Sequence, residues 1–436
     1  MSVLNVQLLL TGNEIMSGDV IDSNSAMAAQ LLKDIGIEVQ RKVSVADDIN
    51  ALVAEIKSIS KQADILIING GLGPTVDDMT AQALAIAAEQ PITRHEQAMQ
   101  HLQSWCQQRN YQLSEPNKKQ ADLPQHCNII SNSIGSAVGF TLTLNHCEIY
   151  CTPGVPSEFK LMLTDEILPR LEPKIPEELK TTVKRMQVFG IGESNIQKLI
   201  NDNLPNWPAD IELGFRAAMP LIEVKLTSRS SQATSIAKEW QHKLTQLLGD
   251  HIIGQNSAKL NSTLVELLKN KSKKITLAES CTGGLIASQL TKVPGASQVF
   301  EAGFITYSNI MKTNLLGVSP DILNNHGAVS KQTVLAMAQG ALNSTKADYV
   351  IAVSGVAGPD GGTLEKPVGI VWIAWGEQEN LQTCCLYLPS SREYFQHFVA
   401  AASLDLIRRM LISSTQRPIY LEERSFKVKS TEKHGK

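Results

Sequence analysis

No stretch of the 436 residues approaches the roughly 20 apolar residues that a membrane-spanning helix needs. Net charge is scarce too. Forty Lys and Arg against 43 Asp and Glu leave −3 at pH 7, so the chain as a whole offers no electrostatic attraction for nucleic acid. The seven cysteines are odd in number and form no pair of CxxC units, which argues against a disulfide framework and a zinc ribbon. A reducing cytoplasm is the expected home. The opening run MSVLNVQLLLTGNE is too short for an export signal and is followed by acids, so it reads as a first buried strand. No internal repeat is visible.

What is present fits a water-soluble globular chain, with 43% hydrophobic and 19% charged residues, too long for a single core. Apolar runs at 3–10, 37–45 and 63–70 alternate with helical spacing at 25–35 and 50–62. This alternation predicts an α/β domain with a parallel sheet and helices on both faces. It runs to about 171, where ILPRLEPKIPEE suggests a linker. Residues 172–255 read as a small α+β domain. A second α/β domain spans 256–420, with the buried strands KKITLAE, ADYVIAVSG and GIVWIAWG. The charged segment 421–436 reads as a disordered tail.

Four loops of the first domain follow apolar runs: 11–24, 69–80, 115–120 and 152–158. Ligands of open parallel sheets bind where such loops leave the strands. In NGGLGPTVDDMT, Gly71 and Gly73 allow close backbone approach, and Thr75 or Asp77 can cap the next helix. Free amides there suit a phosphate, whereas Asp77 and Asp78 repel a bare one; a divalent metal bridging acids and phosphate resolves the conflict. Glu14 and Asp22 are further ligand candidates, and Lys118 and Lys119 could meet a second phosphate. Taken alone, the glycine loop is equally well a tight turn.

In the last domain, AESCTGG places Ser280, Cys281 and Thr282 at a strand-to-helix turn, where helix amides could stabilise an oxyanion. Gly283 and Gly284 leave room for substrate. His326 and His397 lie outside the glycine-rich loops, so no Ser–His–Asp pattern emerges. FITYSNIMK instead supplies Tyr307 and Lys312, and a lysine acts as base only when its pKa is lowered. SGVAGPDGG, with Gly358 and Gly361, suits a phosphate, and Arg392 could pair with it. For any isolated serine or lysine, an N-cap or a solvated charge is the commoner role. Cys281 reads as a small buried residue.

Together these blocks resemble the CinA (competence/damage-inducible protein A) family. AESCTGG, TYSNIMK, GAVS, SGVAGPDGG and KPVG match its C-terminal signatures; NGGLGPTVDD, NKKQADLP, NSIGSAVGF and TPGVPSEFK match its N-terminal ones. The resemblance implies a molybdopterin-binding-like N-terminal domain, a KH-like middle and a C-terminal amidohydrolase without a cofactor. That domain would convert nicotinamide mononucleotide to nicotinic acid mononucleotide and ammonia. Ser280 would be nucleophile and Lys312 base, with Tyr307 assisting proton transfer. The resemblance also implies metal-dependent ADP-ribose pyrophosphatase activity in the first domain, small nucleotide substrates and a homodimer. Direct nucleic-acid or membrane contact is not expected. Asn13, Val138 and Thr152 depart from the commoner family residues, all in the N-terminal half. The rival readings are a molybdopterin-type nucleotide-binding protein and a competence or DNA-damage interaction protein.

Overall fold

The computed structural model describes residues 4–229 and 231–426. The chain divides into two compact units, Met1–Val183 with Ser228–Ser235, and Lys184–Thr227 with Ile236–Lys436. Among the described residues no helix is long and apolar enough to cross a membrane.

The first unit contains eight strands: β1 (Val6–Thr11), β2 (Val39–Val45), β3 (Ile65–Asn69), β4 (Ile92–Arg94), β5 (Asp122–Pro124), β6 (Asn128–Ile130), β7 (Gly139–Leu144) and β8 (Cys147–Thr152). Six of them form one sheet in the order β2-β1-β3-β8-β7-β6. Every residue of β1 and β3 is buried, because successive side chains enter cores on opposite faces. Leu9, Leu66 and Ile68 join one core with Leu52 and Ile56 from the helix Ile49–Ser60. Leu8, Ile65 and Ile67 join the other with Leu32 from the helix Asn24–Asp34. Each such side chain contributes about 1.5–3 kcal/mol on burial.

The sheet is not wholly parallel, as the alternation had suggested. β2, β1, β3 and β8 are parallel, but β7 runs antiparallel to β8, and β6, antiparallel to β7, returns to the common direction. The cause is a two-residue hairpin between Leu144 and Cys147, with Asn145 at φ 58°, a conformation asparagine tolerates. The expected linker near 171 is also not a free segment. Leu168, Leu171 and Ile175 are buried in the core of this unit.

The second unit begins with a four-stranded sheet ordered β10-β11-β9-β12, formed by β9 (Thr181–Val188), β10 (Ile211–Ala218), β11 (Leu221–Arg229) and β12 (Ile252–Gln255). The helix Glu193–Asn203 packs on it through Ile196 and Ile200. A five-stranded sheet follows, built from β13 (Ile275–Glu279), β14 (Phe300–Ile305), β15 (Tyr349–Gly355), β16 (Ile370–Glu377) and β17 (Asn380–Tyr387). Its order is β14-β13-β15-β16-β17, with the first three parallel, β16 antiparallel to β15, and β17 antiparallel to β16. Helix Lys331–Thr345 covers one face, and helices Leu260–Asn270 and Arg392–Leu411 cover the other.

The described part of the charged end segment, 421–426, is not free. Tyr420–Glu423 is helical, Tyr420 is buried, and Ser425 bridges to Leu386; residues 427–436 lie outside the described residues. The Tyr420 hydroxyl donates to Asp405 Oδ2 at 3.1 Å. Asp405 is fully buried and also accepts from Arg408 Nη2 (2.6 Å) and Arg409 Nε (2.8 Å). Removing one member of a buried ionic group leaves its partners unpaired. Asp405→Ala is therefore expected to destabilise this unit by about 3–5 kcal/mol. A denaturant titration showing a loss under about 1 kcal/mol would contradict the account.

Candidate active site

Three parallel strands bring the C-terminal motifs together. Ser280 follows β13, Thr306 and Tyr307 follow β14, and the loop after Gly355 follows β15. Lys312 sits one turn into the helix Asn309–Leu316, whose N-cap is Ser308. From there its side chain lies in the interior, 1% exposed, with Nζ 3.0 Å from Ser280 Oγ. Nζ also donates to the carbonyls of Thr306 (2.8 Å) and Tyr307 (3.3 Å). Burial lowers the Lys312 pKa from the ordinary lysine value. A neutral amine has two N–H donors and one lone pair, which match two carbonyls and one serine hydroxyl.

Glu279, which sequence reasoning missed, explains the shape of the turn. Its buried carboxylate accepts from Thr282 Oγ1 (2.7 Å) and the amides of Gly284 (3.1 Å), Ile286 (3.1 Å) and Ala287 (2.8 Å). It therefore caps the helix Leu285–Thr291 from within. The expectation that this helix terminus would hold an oxyanion is overturned, because Glu279 already occupies it. The Thr282 hydroxyl also donates to Glu279. Ser280 N donates to Val353 O. The amides of Cys281 and Thr282 donate to no protein acceptor among the described residues. A Cβ at Gly283 would meet nothing within 4 Å, whereas one at Gly284 would strike Ile305.

Arg392 ties two predicted elements together. Its Nη1 donates to Gly358 O (2.7 Å) and its Nη2 to Tyr307 Oη (3.0 Å). Gly361 lies in the same loop, at φ 87°. Burial pushes the Cys281 thiol up to about 12.

In the first unit, the ends of β1, β3 and β8 open on a cavity of about 540 Å³. A buried amide chain ties them: Asn24 Nδ2 donates to Asn69 Oδ1 (2.8 Å) and Gly154 O (2.7 Å), and Asn69 Nδ2 to Pro153 O (2.6 Å). Neither asparagine was singled out from sequence, although each stands at the edge of a predicted element. Gly70 and Gly71 adopt positive φ, and a Cβ on Gly70 would strike Thr11 O. The N–H groups of Gly71, Leu72 and Gly73 donate to no protein acceptor among the described residues. Such a run of free amides is an anion cradle.

The expected ligands do not all gather there. Lys118 pairs with Glu115 and does not line the cavity; Lys119 is the one that reaches the loop, at Thr75 O. Asp78 accepts from Thr75 N (2.8 Å) and Thr75 Oγ1 (2.5 Å), so both residues close the loop on itself. Glu14 and Asp77 line the cavity with Asp78. Among the described residues, however, no three His, Cys, Asp or Glu side chains converge to hold a metal. The divalent metal expected at Asp77, Asp78 and Glu14 thus has no protein cage.

Comparison with known proteins matches residues 257–411 to the CinA C-terminal domain and 7–173 to a probable molybdopterin binding domain. A CinA-like protein of Colwellia psychrerythraea is 56% identical over 98% of this chain and 99% of its own. The chain belongs to the CinA-like family. Another relative, from Shewanella oneidensis, carries the name nicotinamide-nucleotide amidohydrolase PncC and is 37% identical over 94% of this chain and 96% of its own. Among solved structures, a competence/damage inducible protein from Agrobacterium tumefaciens is 39% identical, covering 36% of this chain and 94% of its own, with TM-score 0.34.

Of the three candidate nucleophiles in the motif AESCTGG, Ser280 carries the hydroxyl that meets the Lys312 amine. Cys281 is 4% exposed with a raised thiol pKa, and Thr282 is hydrogen-bonded away. Iodoacetamide at pH 8 should therefore leave Cys281 unmodified in the native protein and label it only after denaturation, as peptide mass mapping would show. Labelling under native conditions would reopen the cysteine as a nucleophile.

Proposed function

We propose that the second unit is a nicotinamide-nucleotide amidohydrolase acting through Ser280 and Lys312. The observation that carries this reading is the buried Lys312 Nζ, 3.0 Å from Ser280 Oγ and without a carboxylate partner among the described residues. The name of the Shewanella relative supplies the substrate class.

Neutral Lys312 accepts the Ser280 proton as Oγ adds to the amide carbon. The free amides of Cys281 and Thr282, next to Ser280 in the turn, would supply donors for the oxyanion. Lys312 then returns the proton to the departing nitrogen, ammonia leaves, and an acyl ester on Ser280 remains. Lys312 deprotonates a water that attacks this ester, releasing the carboxylate and restoring the serine. Arg392 and the loop with Gly358 and Gly361 supply the phosphate partner. Tyr307, whose hydroxyl meets Arg392, lies on the phosphate side as much as the proton side.

Ammonia release from nicotinamide mononucleotide tests this directly. Ser280→Ala and Lys312→Ala should each lower kcat by at least about 10³-fold. The rate should rise with pH as Lys312 loses its proton, below the range of an ordinary lysine, since its folded pKa is lowered. Full activity in Ser280→Ala would sink the nucleophile. Its absence in a folded wild type would favour the binding-protein reading.

A second reading applies to the first unit, because Gly71, Leu72 and Gly73 leave three amides free beside acidic side chains. It is that of a phosphoanhydride hydrolase for ADP-ribose. A divalent cation would have to arrive with the ligand's phosphates, which is common for magnesium. AMP production from ADP-ribose, assayed with chelator and then with added magnesium, should fall at least about tenfold in Asp77→Ala. An unchanged rate in that variant would place the chemistry elsewhere.

A further inference from the structure

In the turn that carries Ser280, nearly every backbone group has a local partner. Ser280 O accepts from Gly283 N, and Thr282 O from Leu285 N. The amides of Gly284, Ile286 and Ala287 go to Glu279. The Cys281 carbonyl is different, because no backbone amide among the described residues donates to it. Cys281 is buried, and a buried carbonyl left without a donor is costly. Its donor comes from far along the chain. Gln396 Nε2 reaches Cys281 O at 2.9 Å.

Gln396 belongs to the helix Arg392–Leu411 and follows Arg392 by one turn, so the two side chains leave the same face. Arg392 meets Gly358 O and Tyr307 Oη. The start of one helix therefore touches the loops that follow β13, β14 and β15. The bond to Cys281 has a second effect. A trans peptide is planar, so its N–H points opposite to its C=O. The peptide whose oxygen Gln396 holds has the Thr282 nitrogen at its other end, and this N–H is one of the two free amides beside Ser280. Fixing the carbonyl fixes the amide. Glu279 meets Thr282 through its hydroxyl, not through this peptide.

We propose that Gln396 is a positioning residue of the amidase site: by holding Cys281 O, it aims Thr282 N–H at the oxyanion that forms when Ser280 adds to the amide carbon. The inference rests on the serine–lysine reading of this unit. Gln396 acts through one peptide and not on the substrate. The oxyanion exists only once Ser280 has begun to add, so a misaimed donor slows the chemical step and leaves ground-state binding alone. Lys312 hydrogen-bonds to Ser280, Thr306 and Tyr307 and not to Gln396, so the base keeps its own protonation.

The test is steady-state ammonia release from nicotinamide mononucleotide by the full-length protein across pH, for wild type, Gln396→Met and Gln396→Glu. Methionine keeps the length of the side chain without the donor; glutamate keeps its shape and, when ionised, can only accept. Each variant should lower kcat at least about tenfold, approaching the roughly 10²–10³-fold cost of losing an oxyanion donor outright. KM should stay within about twofold of wild type, and the midpoint of the pH profile should not move. A role in packing alone predicts a lower melting temperature with kcat kept. Unchanged kcat in whichever variant folds, a loss confined to KM, or a displaced pH midpoint would each overturn the proposal while leaving the amidase reading in place. A folded wild type that releases no ammonia would overturn both, an outcome read from the wild type alone.

Discussion

The chemistry proposed for the second unit depends on one contact, an amine held in the interior against a serine hydroxyl. Burying a lysine costs several kcal/mol if it stays charged and little if it sheds its proton. Burial works against the charge on Lys312, whose hydrogen-bond partners are two carbonyls and a hydroxyl rather than a carboxylate. The fold around it serves this placement. β14 ends so that Thr306 and Tyr307 offer their carbonyls, Ser308 caps the helix bearing Lys312, and β13 delivers Ser280 opposite.

The two glycine-rich loops that face ligands use their carboxylates in opposite ways. At Ser280, Glu279 spends the helix terminus on the protein itself, so the turn is rigid and its remaining free amides belong to Cys281 and Thr282. In the first unit, Asp78 folds back on Thr75 and leaves the amides of Gly71–Gly73 unspent. A tetrahedral intermediate needs one or two donors at a fixed point. A phosphate needs a wider cradle of several amides. Each loop offers the number its proposed ligand requires.

Much of this was legible in the sequence. Ser280 and Lys312 stand out because strand, turn and helix follow one another around them, and parallel strands must release their loops on one edge. Glu279 was hidden inside an apolar run read as a buried strand. Its signal was present, since a carboxylate at a buried strand end must find donors, and Thr282 and the glycines follow at once. The reversed strands were missed for a similar reason. LTLNHCEIY carries an asparagine two-residue hairpin that apolar periodicity alone does not register. Lys118 and Lys119 are indistinguishable by spacing, and only the short helix Glu115–Lys118 decides which points at the loop.

The proposed serine–lysine dyad would need no acidic third member. In a Ser–His–Asp triad the acid orients the imidazole and stabilises the cation that forms. A lysine is already strongly basic, so its difficulty is the reverse: it must be kept neutral before the reaction. A carboxylate beside Lys312 would hold the proton and disarm the base. The carbonyls of Thr306 and Tyr307 orient the amine through its N–H groups without a full negative charge. The carboxylate next to Ser280 in sequence, Glu279, has its oxygens directed to Thr282 and three helix amides. Positioning the acid on the helix therefore does two things at once. It fixes the turn that carries Ser280, and it satisfies the buried Glu279 charge with four donors.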